Sequence, residues 1–459
     1  MTKTCIICGQ LAGSGEHIFP AVFGGRRTNK GIYCQKHNNE FGRHVSAILD
    51  GLDIVNALVG VIPDRRQDVR PALATGPDGT HYLVTANEVH LAPPPPLDET
   101  PELVGRRLSL DFASREQAEQ WIADQEKAGY RLGRNGFTSS RKKYFGSSVS
   151  AQRTLGDEPF MRGLLYVALT FLAHNYPKLA RSDGLAEVRT IVEKDGPVGD
   201  RVLWEPDSSL SQISLSPFVP GHTVATGPSA DHEQVISLIS LYGAVQFGIF
   251  LGSRGEQPRL LRTTTHINPL ARHPPNDIQV VREDAALTLS TVTDSKSYLR
   301  QLRTGEINPF ARLLRDAGER ELMAAAKAMM FEIRKLESKL PEEKILTVTA
   351  LVAEHSQRIF SWMRIRVLEY VGCDDKLSPA MRHALQTYVS VDDSSPNGLT
   401  RESGYALLAA CNLLAGRIVE DLNDGVLDHA RLGSIIGGGE EGVRTVLVYL
   451  ALRAKGSRH

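Results

Sequence analysis

Cysteine is scarce in this chain, with five in 459 residues. Three of the five fall within the first 34 positions. Cys373 and Cys411 stand apart, each flanked by apolar helical sequence, which predicts simple burial of free thiols in a reducing compartment. Net charge is also absent. With 53 basic and 53 acidic residues the formal charge is zero, so no global basic field exists and any affinity for nucleic acid must come from local patches. No apolar run approaches the length of a membrane span. The opening MTKTC lacks the pattern of a signal peptide, and the expected location is cytoplasmic. No GxxxxGK[ST] sequence occurs, which argues against a P-loop ATPase.

The chemistry that is present is concentrated in Cys5–Gly42, CIICGQLAGSGEHIFPAVFGGRRTNKGIYCQKHNNEFG. Cys5 and Cys8 form one chelating pair, and Cys34 and His37 form a second. Structural zinc takes four tetrahedral S/N ligands, usually from two such short-spaced pairs. In a segment this short little apolar core can form, so a metal would supply folding energy. Zn²⁺ on Cys5, Cys8, Cys34 and His37 is therefore expected.

Between and after the pairs lie Glu16-His17-Ile18-Phe19-Pro20, a Gly24-Gly25 turn, Asn29 and Asn38. In this order the features resemble the HNH endonuclease family in its CxxC-bearing form, over about a tenth of the chain. The chain departs from the family pattern in three places. His37 stands where the second pair usually ends in Cys, Glu16 stands where Asp is commoner, and Asn38 replaces the final His. The first departure leaves two registers open, since His37 could serve a catalytic ion instead of zinc. The retained x-x spacing, with Asn38 directly after it, favours zinc.

The resemblance implies a zinc-bound ββα module that cuts phosphodiester bonds. Such a bond is already anionic, so cleavage calls for a base to make the nucleophile and a cation to absorb charge. By the resemblance His17 is the general base, an imidazole being able to accept a proton near neutral pH. Asn38 and Glu16 would hold Mg²⁺ or Mn²⁺ through oxygen, and Asn29 would brace the loop and orient His17. Arg26, Arg27, Lys30, Lys36 and Arg43 are candidates for neutralising phosphates, with solvated surface charge an equal alternative.

Down the chain, residues 43–60 show helical spacing that continues the module. Residues 80–91 suit a hairpin around Asn87-Glu88. Pro93–Pro96 form an extended spacer, and a boundary is expected over 92–100. Residues 107–112 read as a strand, followed by a helix capped by Ser114 with Gln117. Residues 131–144 are the most basic run, a candidate substrate-tracking loop or merely a soluble one. Residues 157–175 form an apolar helix capped near Asp157, and its His174 is expected to be packed. Strands are expected at 201–204, 222–225, 277–282 and 287–291, and on both sides of a turn at Tyr242-Gly243. From Asn308 the pattern turns helical, with helices over 309–340, 341–371, 378–390, 404–422 and 428–455. The glycine run 437–439 is expected to be a turn, and Met323, Met329, Met330 and Trp362 are expected in the core.

The fold class expected is α+β with several domains: an HNH-like module over 1–60, a central α+β, β-rich region over 61–306 and a helical domain over 307–459. The expected partner is nucleic acid, with DNA the expected form and no membrane. The C-terminal helices are a candidate surface for a protein partner or self-association. Two other readings stand beside the nuclease. One is a zinc-stapled module that binds nucleic acid without cutting it, and the other is a structural or signalling protein acting through its long helices.

Overall fold

The computed structural model describes residues 3–64, 66, 68–76, 78–86, 88–97, 108–133, 149–206, 209, 212–213, 216–255, 260–336, 338–355, 359 and 401–437. The basic run beyond Gly133, Cys373, Trp362, the helix expected over 378–390 and the segments expected to be helical after His355 and Gly437 lie outside these residues, Ile359 excepted. The class is α+β, helices together with antiparallel sheets. No helix among the described residues is long and apolar enough to cross a membrane.

The chain opens with two short strands, β1 (Glu16–His17) and β2 (Thr28–Asn29), paired antiparallel. Helices α1 (Gln35–Glu40) and α2 (Gly42–Val59) follow. A three-stranded sheet comes next, β3 (Ala72–Thr75), β4 (His81–Val84) and β5 (Val89–Leu91), in that order. Helix α3 (Arg115–Lys127) starts on the expected capping box: Ser114 accepts from the Gln117 N–H, and Gln117 reaches back to the Ala113 N–H. Residues 108–112 do not form the strand expected there. Leu108 and Leu110 are exposed, and Phe112 instead packs on Trp121 of α3.

Helix α4 (Glu158–Asn175) begins where Asp157 accepts from the Phe160 N–H, and it is buried along nearly its whole length. After α5 (Ala186–Lys194) come β6 (Val202–Glu205), β7 (His222–Pro228), β8 (Gln234–Leu241), β9 (Val245–Ser253), β10 (Arg262–Ile267) and β11 (Asp277–Glu283). They form one antiparallel sheet, ordered β11-β10-β7-β8-β9-β6. β7 and β8 are buried on both faces, which suits the largely apolar run Val235–Leu241 of β8. The strand expected at 287–291 is absent. Leu287 donates one backbone bond to Pro228, and Thr291 caps α6 (Val292–Thr304), a helix not expected from the sequence.

Beyond this lie α7 (Pro309–Ile333), α8 (Pro341–Glu354), α9 (Arg401–Asn423) and α10 (His429–Ile436), with no strand among the described residues after Pro309. The helix expected to run to 340 stops at Ile333, where a 3₁₀ turn over Arg334–Leu336 leads to Pro341. Met329, Met330 and Cys411 lie in the core of these helices, whereas Met323 is 43% exposed, contrary to expectation.

The chain packs into two compact units. One comprises residues 1–72, 84–86 and 152–315, and the other comprises residues 73–83, 87–151 and 316–459. The N-terminal hairpin therefore shares a unit with the six-stranded sheet. Within that unit α4 is the central element, packed on the sheet by one side and on α2 by another. The helices cross closely because Gly163 has no side chain: a Cβ there would stand 2.6 Å from both the His44 carbonyl and an Ile48 methylene.

Candidate functional site

The four expected zinc ligands converge. Cys5, Cys8, Cys34 and His37 place one donor atom each within 4.8 Å of one another. The first knuckle closes on Gly9, whose φ of 72° is left-handed and whose N–H donates to the Cys5 carbonyl. The second forms because Cys34 is the N-cap of α1 and His37 lies on its first turn. Zn–S bonds of ~2.3 Å and Zn–N bonds of ~2.0 Å require tetrahedral edges of about 3.8 Å for S···S and about 3.5 Å for S···N. The corresponding distances are 3.9 Å for Cys8–Cys34, and 3.4 and 3.3 Å from His37 Nδ1 to Cys5 and Cys34. The donor set fits a zinc ion held through Nδ1. The other ring nitrogen of His37 lies 3.6 Å from Glu193 Oε1, the kind of outer carboxylate that fixes a ligand histidine.

The hairpin presents two faces. Glu16 pairs with Asn29 and His17 with Thr28, so Glu16 and Asn29 point one way and His17 and Thr28 the other. The first face is turned inward on α4. Tyr166, Thr170 and His174 recur every four residues and form a polar stripe on a largely apolar helix. Tyr166 donates its hydroxyl to Glu16 Oε1 at 2.7 Å, Thr170 bonds the Tyr33 hydroxyl at 2.9 Å, and His174 Nδ1 lies 3.0 Å from Asn29 Nδ2. Burial raises the Glu16 carboxyl to about 7, opposed by the Tyr166 hydroxyl and the His17 backbone. Burial also lowers His174, and Arg27 beside it adds to that shift.

His17 faces outward and is partly open, with Nε2 3.0 Å from Asp64 Oδ2. The Arg26 guanidinium takes the other oxygen of Asp64, also at 3.0 Å, and its side chain is 5% exposed. Arg26 is fixed in turn by the carbonyls of Ala271 and Ile62. The Gly24-Gly25 turn that delivers it is too tight for larger residues, because a Cβ on Gly25 would come within 1.9 Å of the Phe19 carbonyl oxygen.

The expected catalytic set is thus only partly assembled. Glu16 is buried under Tyr166 on the face opposite His17, so Glu16 and Asn38 do not form the solvent-open ion site anticipated from the sequence. Asn29 braces its own loop, accepting from the Gly31 N–H, and its amide nitrogen meets His174 rather than His17. Asn38 Oδ1 is buried without a hydrogen-bond partner. Among the basic residues, Arg26 is enclosed, Arg27 pairs with Asp277 at 2.8 Å, Arg43 with Asp195 at 3.1 Å and Lys36 with Glu40 at 3.9 Å. Asp64, Tyr166 and His174 were missed as partners of the motif. Tyr166 and His174 are marked only by their four-residue steps through Thr170 on α4, and Asp64 by its place just beyond α2. Comparison with family models, with curated proteins and with solved structures finds no match.

Proposed function

We propose that the chain is an HNH-type endonuclease, hydrolysing phosphodiester bonds in DNA from a zinc-stapled N-terminal module. The observation that supports this best is the partly open His17 imidazole, held at a carboxylate on the outer face of a hairpin whose ends meet in a zinc-type donor cluster. A nucleic-acid clamp has no need of a histidine so oriented, whereas a general base does. His17 would take a proton from water, and the water oxygen would bond to phosphorus. The P–O bond to the leaving sugar would break, and that alkoxide would be protonated by solvent. A divalent ion, implied by the resemblance, would stabilise charge on the phosphate. Asn38 keeps an unpartnered oxygen that could hold such an ion, whereas Glu16 is buried and bonded to Tyr166.

The test is cleavage of plasmid DNA and of RNA with Mg²⁺, Mn²⁺ or EDTA. Wild type should nick DNA with a divalent ion, and His17→Ala should lower the rate by ~10²–10⁴ while retaining zinc and DNA binding. The rival reading, a zinc-stapled binding module, draws support from the burial of Glu16 under Tyr166. Equal cutting by wild type and His17→Ala would dismiss the assignment of catalysis to this motif. Binding without cutting under every metal would favour the rival.

A further inference from the structure

We infer that Asp64, outside the motif, is the positioning residue for His17 and takes the part that the family pattern gives to Asn29. The inference rests on the nuclease reading for its role in catalysis, though not for its effect on the imidazole. An ionised carboxylate only accepts hydrogen bonds. Asp64 meets Arg26 through Oδ1 and His17 Nε2 through Oδ2, both at 3.0 Å. The neutral ring must then carry its proton on Nε2, leaving the Nδ1 lone pair to accept a proton from water.

Asn29 cannot do this work. Its Oδ1 accepts from Gly31, its Nδ2 meets His174, and it sits on the opposite face of the hairpin. Asp64, by contrast, is fixed independently of His17. Its backbone N–H donates to the Ala21 carbonyl, and Arg26 is itself tied to Ala271 and Ile62. A chain of charged and hydrogen-bonded groups runs from the 271 loop through Arg26 and Asp64 to the imidazole, the arrangement that orients a base through a third group.

The experiment measures ring-nitrogen spectra of ¹⁵N-histidine-labelled, zinc-loaded full chain, with His17→Ala identifying the His17 signals, alongside cleavage kinetics. Wild type should show the Nε2–H tautomer. In Asp64→Asn the amide oxygen should stay with Arg26 and turn its NH₂ toward His17, switching the ring to Nδ1–H. The cleavage kcat should fall by ~10²–10⁴ with KM for DNA nearly unchanged. Asn29→Ala should leave the tautomer as in wild type.

Nδ1–H in wild type, or an unchanged tautomer in zinc-replete, folded Asp64→Asn, overturns the inference. So does a switch caused by Asn29→Ala. The wild-type spectrum decides the matter even if Asp64→Asn fails to fold. A tautomer switch in a chain that cuts nothing would uphold the positioning by Asp64 and defeat only the nuclease reading.

Discussion

At the scale of single residues, Glu16 separates what a motif suggests from what a fold does with it. Beside His17 in sequence it looks like a metal ligand, but strand alternation sends the two side chains to opposite faces, and Glu16 ends under Tyr166. Burial holds its carboxyl at about 7 against an ordinary 4.5. A folded pKa above the unfolded one means that the native chain binds the proton more tightly. Its contribution is therefore most favourable below pH 4.5 and is lost as pH rises from there through about 7. At ~1.4 kcal/mol per pH unit the gap corresponds to about 3 kcal/mol. Glu16→Gln keeps an oxygen for Tyr166 without the charge. In urea unfolding it should match wild type near pH 4.5 and exceed it by up to about 3 kcal/mol at pH 8. A variant weaker than wild type at pH 8 would show that the ionised carboxylate is needed, as a metal ligand would be.

At the scale of elements, α4 shows which information the sequence carries openly. Its cap, length and apolar character are local properties, and all three were legible from Asp157, Pro159 and the run that follows. The turn between β8 and β9 was legible too, although its conformation was not. Tyr242 has a φ of 59°, uncommon for a residue with a side chain. It is held there because its N–H reaches His222 and its hydroxyl reaches Asn56 of α2. The stripe of Tyr166, Thr170 and His174 acquires meaning only from partners more than 130 residues earlier, and single-sequence periodicity cannot supply those partners. The stripe predicts a measurable cost. Tyr33 is fully buried and its hydroxyl relies on Thr170. Thr170→Val, nearly isosteric, should leave that hydroxyl unpaired and destabilise the chain by ~1–3 kcal/mol in urea, while metal analysis finds zinc content unchanged. Neutral Thr170→Val would mean that the hydroxyl finds another partner.

At the scale of the whole molecule, short metal-ligand spacings were readable because chelation needs only a few neighbouring residues. The grouping of segments into units was not, because it depends on packing between distant parts of the chain. Residues 1–72 share a unit with 152–315, and the joint is largely apolar and aromatic. Phe19 and Phe23 pack on His222 of β7, and Tyr33 and Phe41 pack on Tyr166 of α4. The first forty residues are thus not a segment with zinc as its only source of stability. Cys34 and His37 belong to the start of α1, and Tyr33, one residue before, anchors to α4, so loss of the metal should be felt along that path. With Cys34→Ser, or with zinc removed by a chelator, hydrogen exchange should quicken over residues 5–40 and, to a lesser degree, along α4. The helical core that includes Leu322, Met329, Val348, Val352, Cys411 and Ile436 lies in the other unit, and its protection should be retained. Equal loss of protection in both units would show that zinc stabilises the chain as one cooperative whole, and no change over residues 5–40 would show that the aromatic joint holds the hairpin without it.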